Sequence, residues 1–211
     1  RLPNLSEPVF ERGSNSCGGN AYRADKLSMW REVDGRWARH APAKLNLGLR
    51  VFARRPDGYH PLESWMVSLS WHDTLWYEPT GGPLELRVTG RAAGVPVEVG
   101  KNLAGRAALR LAEVMGRQAT GRLELHKVVP PGGGVGGGSS DAACVLVLLK
   151  NIWEPFIDDG ILSMVAAELG SDVPFFLSGV PALCSGRGEI RSDLVPQAPL
   201  YAVLVAPGTG L

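Results

Sequence analysis

The chain has 211 residues, 45% hydrophobic and 20% charged, with a formal net charge of +1. That composition is ordinary for a globular protein, and the length holds one large domain or one domain and part of a second. Lys and Arg are scattered, so no concentrated basic patch marks a nucleic-acid surface.

Cys17, Cys144 and Cys184 are odd in number and widely spaced, which fits neither a disulfide framework nor a paired metal site. No apolar run reaches the ~18–20 residues that cross a bilayer. The opening RLPNLSEPVFERGSNSCGGNAYR lacks the apolar centre of a signal peptide. A reducing, cytoplasmic setting is expected.

Residues 1–40 are polar, with Gly, Ser and Asn around GSNSCGGN and no sustained periodicity, so an extension or mobile arm is expected. In APAKLNLGLRVFARR, Leu45, Leu47, Leu49 and Val51 alternate with other residues, the period of a strand. Asp57-Gly58, between Pro56 and Pro61, supplies turn chemistry. The aromatic and β-branched run WMVSLSWHDTLWYE predicts a second strand, and LELRV at 84–88 a third. Leu103, Ala107, Leu111 and Val114 recur at helical spacing, with Gly116 placed to end that helix. GRLELHKVV returns to a strand over 121–129.

The apolar run 142–149 reads as a helix started by Ser139, Ser140 and Asp141, which favour caps and first turns. Another helix over 158–169 ends at Gly170, SDVPFFLSG makes a compact turn, and PLYAVLVAP at 199–207 reads as a last strand. Strands come early and helices late within one unit, which indicates an α+β fold rather than a regular βαβ winding.

Between the strand at 121–129 and the helix lies PPGGGVGGGSS, with six glycines in seven positions. Ordering each glycine costs roughly 0.5–1 kcal/mol more than alanine, so a mere turn does not account for six. A linker does not run into a capped, apolar helix. Small residues at a helix start instead let consecutive N–H groups face one concavity, a site for phosphates. Two familiar phosphate loops fail. The Walker A pattern needs a terminal Gly-Lys-Ser/Thr, and no Lys stands here. A dinucleotide fingerprint can be laid on Gly132, Gly134 and Gly137, but no acidic residue stands near a strand end about 20 residues on.

Asp172 precedes Val173-Pro174-Phe175-Phe176, apolar neighbours that desolvate a carboxylate and raise its pKa towards that of a useful base. An ordinary turn or N-cap aspartate is the competing reading. Lys44 interrupts an apolar strand, either as a snorkelling edge residue or as a placed charge. Tyr59 and His60 at a hairpin suit base recognition, or are plain surface residues. Ser139 and Ser140 could serve phosphate, Mg²⁺ or helix capping. His40, His72 and His126 have no metal spacing, and Trp65, Trp71 and Trp76 read as core or edge packing.

Three segments together resemble one family. PPGGGVGGGSSDAA is similar to the phosphate loop of the GHMP small-molecule kinases. APAKLNLGLRVFARRPDGYHPLES and LGSDVPFFLSGVPALCSGRGE are similar to the opening strand and the aspartate segment of one branch of that family, in the same order. The acceptor of that branch is a cytidine diphosphate-linked methylerythritol. The resemblance runs from about residue 41 to 211.

It implies a GHMP-kinase N-terminal domain (ribosomal protein S5 domain 2-like) over 41–196. Residues 197–211 would be the first strand of a truncated C-terminal domain. It makes Asp172 the catalytic base and Lys44 its partner. It assigns Pro130, Pro131, Gly132, Gly133, Gly134, Val135, Gly136, Gly137, Gly138, Ser139 and Ser140 to the ATP phosphates, and Asn102 to the segment lining the adenine pocket. Asn46, Tyr59 and His60 fall to the acceptor. ATP and Mg²⁺ are the implied cofactors, with no residue assigned as a metal ligand. The implied reaction phosphorylates the acceptor's 2-hydroxyl in the non-mevalonate isoprenoid route, with no nucleic acid or membrane partner. Pro131 departs from the family pattern, which usually has a hydrophobic residue there. A homoserine- or mevalonate-type kinase, disfavoured by DGYH, and a nucleotide-binding module without catalysis remain the alternatives.

Overall fold

Alternating apolar strands and two periodic helices leave one stable arrangement, a sheet covered on one face by helices. The computed structural model describes residues 31–33, 35–56, 58–154, 156–186, 188, 190–195 and 200–205. In chain order the elements are β1 (Arg31–Val33), β2 (Arg36–Val51), β3 (Leu62–Pro83), β4 (Glu85–Gly90), α1 (Leu103–Val114), β5 (Thr120–Lys127), α2 (Gly137–Trp153), α3 (Asp159–Leu169), α4 (Val173–Phe176), β6 (Ala182–Gly186) and β7 (Ile190–Asp193).

The 22-residue β3 is the spine. It pairs antiparallel with β2 along one edge; along the other it pairs with β5 and, nearer its start, with β6. The order is β1-β2-β3-β5-β4, with β6 beside β3 and β7 beside β6. Among the described residues only β4 and β5 run parallel, joined by the crossover through α1. The α+β reading therefore stands, with one βαβ unit inside it.

Register shifts between Pro42 and Lys44 and between Asn46 and Gly48 mark bulges in the β2–β3 pair. Bulges change which face successive residues occupy. On β3 the inward residues are Ser64 and Met66 at one end but Asp73, Leu75 and Tyr77 at the other. The core lies between this inner face and the helices. α1 contributes Ala104, Ala107, Ala108 and Leu111, as its periodicity predicts. α2 is buried almost all round from Ser140 to Leu149, which makes it the central helix.

Two expectations need correction, the start of the sheet and the last strand, and some apolar side chains are more exposed than their pattern suggests. The sheet does not begin at residue 41: β1 and the first residues of β2 lie within 31–40, where Arg36 covers the ring of Trp76 and pairs with Glu124. Residues 1–30 lie outside the described residues. In β2 the strand is as expected, but Leu47, Leu49 and Val51 are exposed, because the core covers only the half around Ala41, Ala43 and Lys44. Trp65 is likewise exposed. Finally, residues 200–205 form no strand; the sheet is extended instead by β6, beside β3, and by β7, beside β6. Both are too short to stand out by pattern.

Among the described residues no helix is long and apolar enough to cross a membrane.

Close packing at the start of α1 carries a stability prediction. A Cβ at Gly105 would lie 2.2 Å from the carbonyl oxygen of Val99 and 2.8 Å from its backbone carbons. Backbone cannot rotate away as a side chain can. Gly105→Ala is therefore expected to lose on the order of 2 kcal/mol, despite alanine's better helix propensity of about 1 kcal/mol. A urea-denaturation midpoint equal to that of the parent would show that the 95–101 loop simply yields.

Candidate active site

The glycine loop leaves the end of β5 and becomes α2 without a side-chain cap. Gly132, Gly134 and Gly136 all have positive φ, at 76°, 68° and 73°. The N-cap is Gly136, in the left-handed conformation, and no side chain accepts from the helix's first N–H groups. Ser139, Ser140 and Asp141 thus lie in the first turns of the helix, as expected of first-turn residues, while the cap itself is Gly136. The first free N–H groups of a helix, left uncapped, favour an anion.

Gly136 also has close neighbours. A Cβ there would come within 2.9 Å of the Phe176 ring and 3.0 Å of Lys44 Cγ. The loop is pinned to β2 by the Lys44 amide, which donates to the carbonyl oxygen of Val135 at 2.8 Å. The same residue carries the charge of the site. Lys44 Nζ donates to Asn46 Oδ1 at 3.0 Å and lies 3.4 Å from Asp172 Oδ2. The lysine side chain is 6% exposed and that of Asp172 31%, so the carboxylate sits at the mouth of the pair, open to a ligand.

Asp172 occupies the N-cap position of α4 but makes no capping bond; its carboxylate is turned to Lys44 instead. Phe175 and Phe176, packed edge to face at 5.1 Å and both buried, hold that turn in the core. The β6–β7 turn backs it: Gly188 has φ +113°, and a Cβ there would lie 2.9 Å from the Ser171 carbonyl oxygen. This close approach accounts for the second glycine of SGRGE.

The two serines diverge. Ser139 is half-buried in the first turn of α2. Ser140 is buried, with its hydroxyl lacking a partner, on a cavity of about 10 Å³ bounded by Arg39, His40, Pro42, Cys144, Phe176, Ser178 and Gly179. Asn102 is committed elsewhere. It is the N-cap of α1, its Oδ1 accepting from the Ala104 amide at 2.9 Å and its Nδ2 donating to the Pro96 carbonyl oxygen at 2.8 Å. Both ends of its amide are thereby engaged within the fold.

Tyr59 and His60 stand at the exposed tip of the β2–β3 hairpin, tied by the Arg55 amide to the Tyr59 carbonyl oxygen at 2.8 Å. His60 Nδ1 lies 3.0 Å from the carbonyl oxygen of Phe52. A carbonyl only accepts, so Nδ1 carries the proton and Nε2 is left as an acceptor. The hairpin is separated from Lys44 by the exposed half of β2, roughly 20 Å of strand. Lys44, Asn46, Val135, Gly136 and Asp172 are therefore brought together, and Tyr59 and His60 form a second, distant group.

Sequence reasoning missed a further cluster. Asp73, Lys127 and Asp141 are all buried, and Lys127 Nζ bonds both Asp73 Oδ2 and Asp141 Oδ2, the latter at 2.7 Å. Burial pulls the Lys127 ammonium down, but the two carboxylates outweigh it and hold it above the ordinary lysine range. Asp73 and Lys127 each interrupt an apolar strand, the very signal that singled out Lys44.

Residues 102–180 match the GHMP kinases N terminal domain, a span that takes in the loop and Asp172 but not Lys44. The chain is 45% identical over 172 residues to the 4-diphosphocytidyl-2-C-methyl-D-erythritol kinase of Methylacidiphilum infernorum (isolate V4), covering 80% of this chain and 58% of that protein. It is 44% identical over 173 residues to the enzyme of the same name from Pelotomaculum thermopropionicum, covering 81% and 59%. A crystal structure of 4-(cytidine 5'-diphospho)-2C-methyl-D-erythritol kinase superposes with a TM-score of 0.64 at 41% identity, over 74% of this chain and 55% of that one. The chain thus spans under three fifths of the length of these relatives. The family match and the superposed structure agree on one conclusion: the chain carries a GHMP kinases N terminal domain.

Proposed function

We propose that this chain holds the ATP phosphates and activates the acceptor hydroxyl in a kinase that phosphorylates the 2-hydroxyl of 4-diphosphocytidyl-2-C-methyl-D-erythritol. The observation that carries the reading is the meeting of Lys44 and Asp172 at the exit of the glycine loop. Phosphoryl transfer needs a bound polyphosphate, a base for the hydroxyl proton and positive charge at the transferring group. The loop amides and the start of α2 cradle the phosphates. The Asp172 carboxylate takes the proton as the hydroxyl oxygen bonds to the γ-phosphorus and the bond to ADP breaks. The Lys44 ammonium keeps that carboxylate oriented and stabilises the charge on the reacting oxygens.

Mg²⁺ fits as a companion of the nucleotide. It normally keeps waters and substrate phosphates as ligands, with one or two protein donors, and the described residues contain no cluster of three or more His, Cys, Asp or Glu that could cage it. Ser139 would be its protein donor, and the ion would neutralise charge on the phosphates.

The distant hairpin suits an elongated acceptor. The Tyr59 ring offers a face for a base, and His60 Nε2 can accept from the exocyclic amine of cytosine. The named relatives favour this acceptor over a homoserine or mevalonate type.

The test is an ATP-consumption assay, on a protein containing this chain, with Mg²⁺ and 4-diphosphocytidyl-methylerythritol, alongside its His60→Phe variant. Phe keeps the ring and removes the acceptor nitrogen. A lost charge-free hydrogen bond predicts an acceptor KM raised roughly tenfold, with the ATP KM unchanged. Turnover of homoserine or mevalonate but not of the cytidylyl compound would overturn the assignment.

A further inference from the structure

Asp73 on β3, Lys127 on β5 and Asp141 on α2 are 0%, 3% and 3% exposed. Asp73 Oδ1 accepts from the amide N–H groups of Val128 at 2.5 Å and Val129 at 2.8 Å, immediately before the loop. Its other oxygen accepts from Lys127, which also donates to Asp141, immediately after the loop. One chain of charged contacts therefore joins the loop's entry to its exit. Gly137 closes over it, since a Cβ there would lie 3.0 Å from Val129 Cγ1 and 3.3 Å from Lys127 Nζ. Well-packed apolar residues often hold a backbone as firmly as a buried ion cluster does, so stability alone is a weak reason for these charges. Their place beneath an anion site supplies a better one.

We propose that Asp73, Lys127 and Asp141 are positioning residues for the nucleotide phosphates, a buried carboxylate–ammonium–carboxylate clamp that fixes the glycine loop at both ends. This rests on the phosphate-loop reading.

Calorimetric titration of ATP into the wild type, Asp73→Asn, Asp141→Leu and Asp141→Asn tests the clamp, with folding followed by circular dichroism and kcat by ATP consumption. Asp73→Asn turns an NH₂ towards other donors, and is expected to weaken ATP by about tenfold or more with kcat at saturating ATP held within about threefold. Asp141→Leu removes the contact at the loop's exit and is expected to weaken ATP by about threefold or more, while Asp141→Asn, which keeps an oxygen for Lys127, restores most of that loss. A folded Asp73→Asn or Asp141→Leu that binds ATP normally would overturn the proposal. Should Asp73→Asn not fold, the Asp141 pair decides by itself. A wild type that binds no ATP instead removes the phosphate-loop reading, and the clamp's role falls with it.

Discussion

Asp172→Asn is expected to lower kcat by at least about 10²-fold while leaving ATP affinity nearly unchanged. The amide keeps the size of the carboxylate and its place at the N-cap of α4, so Phe175 and Phe176 stay packed. What disappears is the proton acceptor and the charge facing Lys44 Nζ. The Lys44 ammonium retains Asn46 Oδ1 as a partner, so the loop it anchors through its amide is not disturbed. Binding and chemistry therefore separate. Steady-state kinetics paired with ATP titration reads both, and a variant with near-normal kcat would remove Asp172 from the role of base.

Gly136→Val should act on the opposite half of the site. Its φ of +73° lies in the left-handed region, which costs a β-branched residue about 1–2 kcal/mol. The added carbons would also meet the Phe176 ring and Lys44 Cγ, and overpacking of this kind costs about 1–3 kcal/mol. The easiest relief is to move the loop off its position. Since about 1.4 kcal/mol is tenfold in affinity, ATP binding is expected to weaken by roughly 30-fold or more. Calorimetry on a variant with retained circular dichroism checks this, and unchanged ATP binding would return the loop to the status of a linker.

The elements with repeated spacing were legible. Leu103, Ala107 and Leu111 mark α1 because every turn of that helix meets the core. The turn at Gly58 and the run through Trp76 were equally plain. What spacing could not reveal depends on partners distant in sequence. The exposed Leu47, Leu49 and Val51 have the alternation of a buried strand, and only the reach of the helices decides otherwise. β6 is ordered by β3 and β7 by β6, so their own five and four residues carry little signal. At the site, Lys44 and Asp172 could be singled out as charges in apolar surroundings. The Asp73–Lys127–Asp141 contact could not, because none of the three stands near another in the chain. The start of α2 was misplaced for a local reason: Gly136 caps it through backbone conformation, which leaves no side-chain signature.

The placement of β6 against the first residues of β3 bears on how the protein is made. Leu62 pairs with Gly186 and Met66 with Ala182, so the spine is complete only after nearly the whole described chain exists. During synthesis from the N-terminus, β2, β3, the glycine loop and α2 emerge before α4 and β6. Pairings of such long sequence separation form slowly and expose strand edges while they wait. A ribosome-bound chain ending near Trp153 thus has its glycine loop while Lys44 has no Asp172 to meet and Gly136 no Phe176 to pack on. The first residues of β3 would stand as an open edge in that interval, and cover for that edge is what the nascent chain would need most.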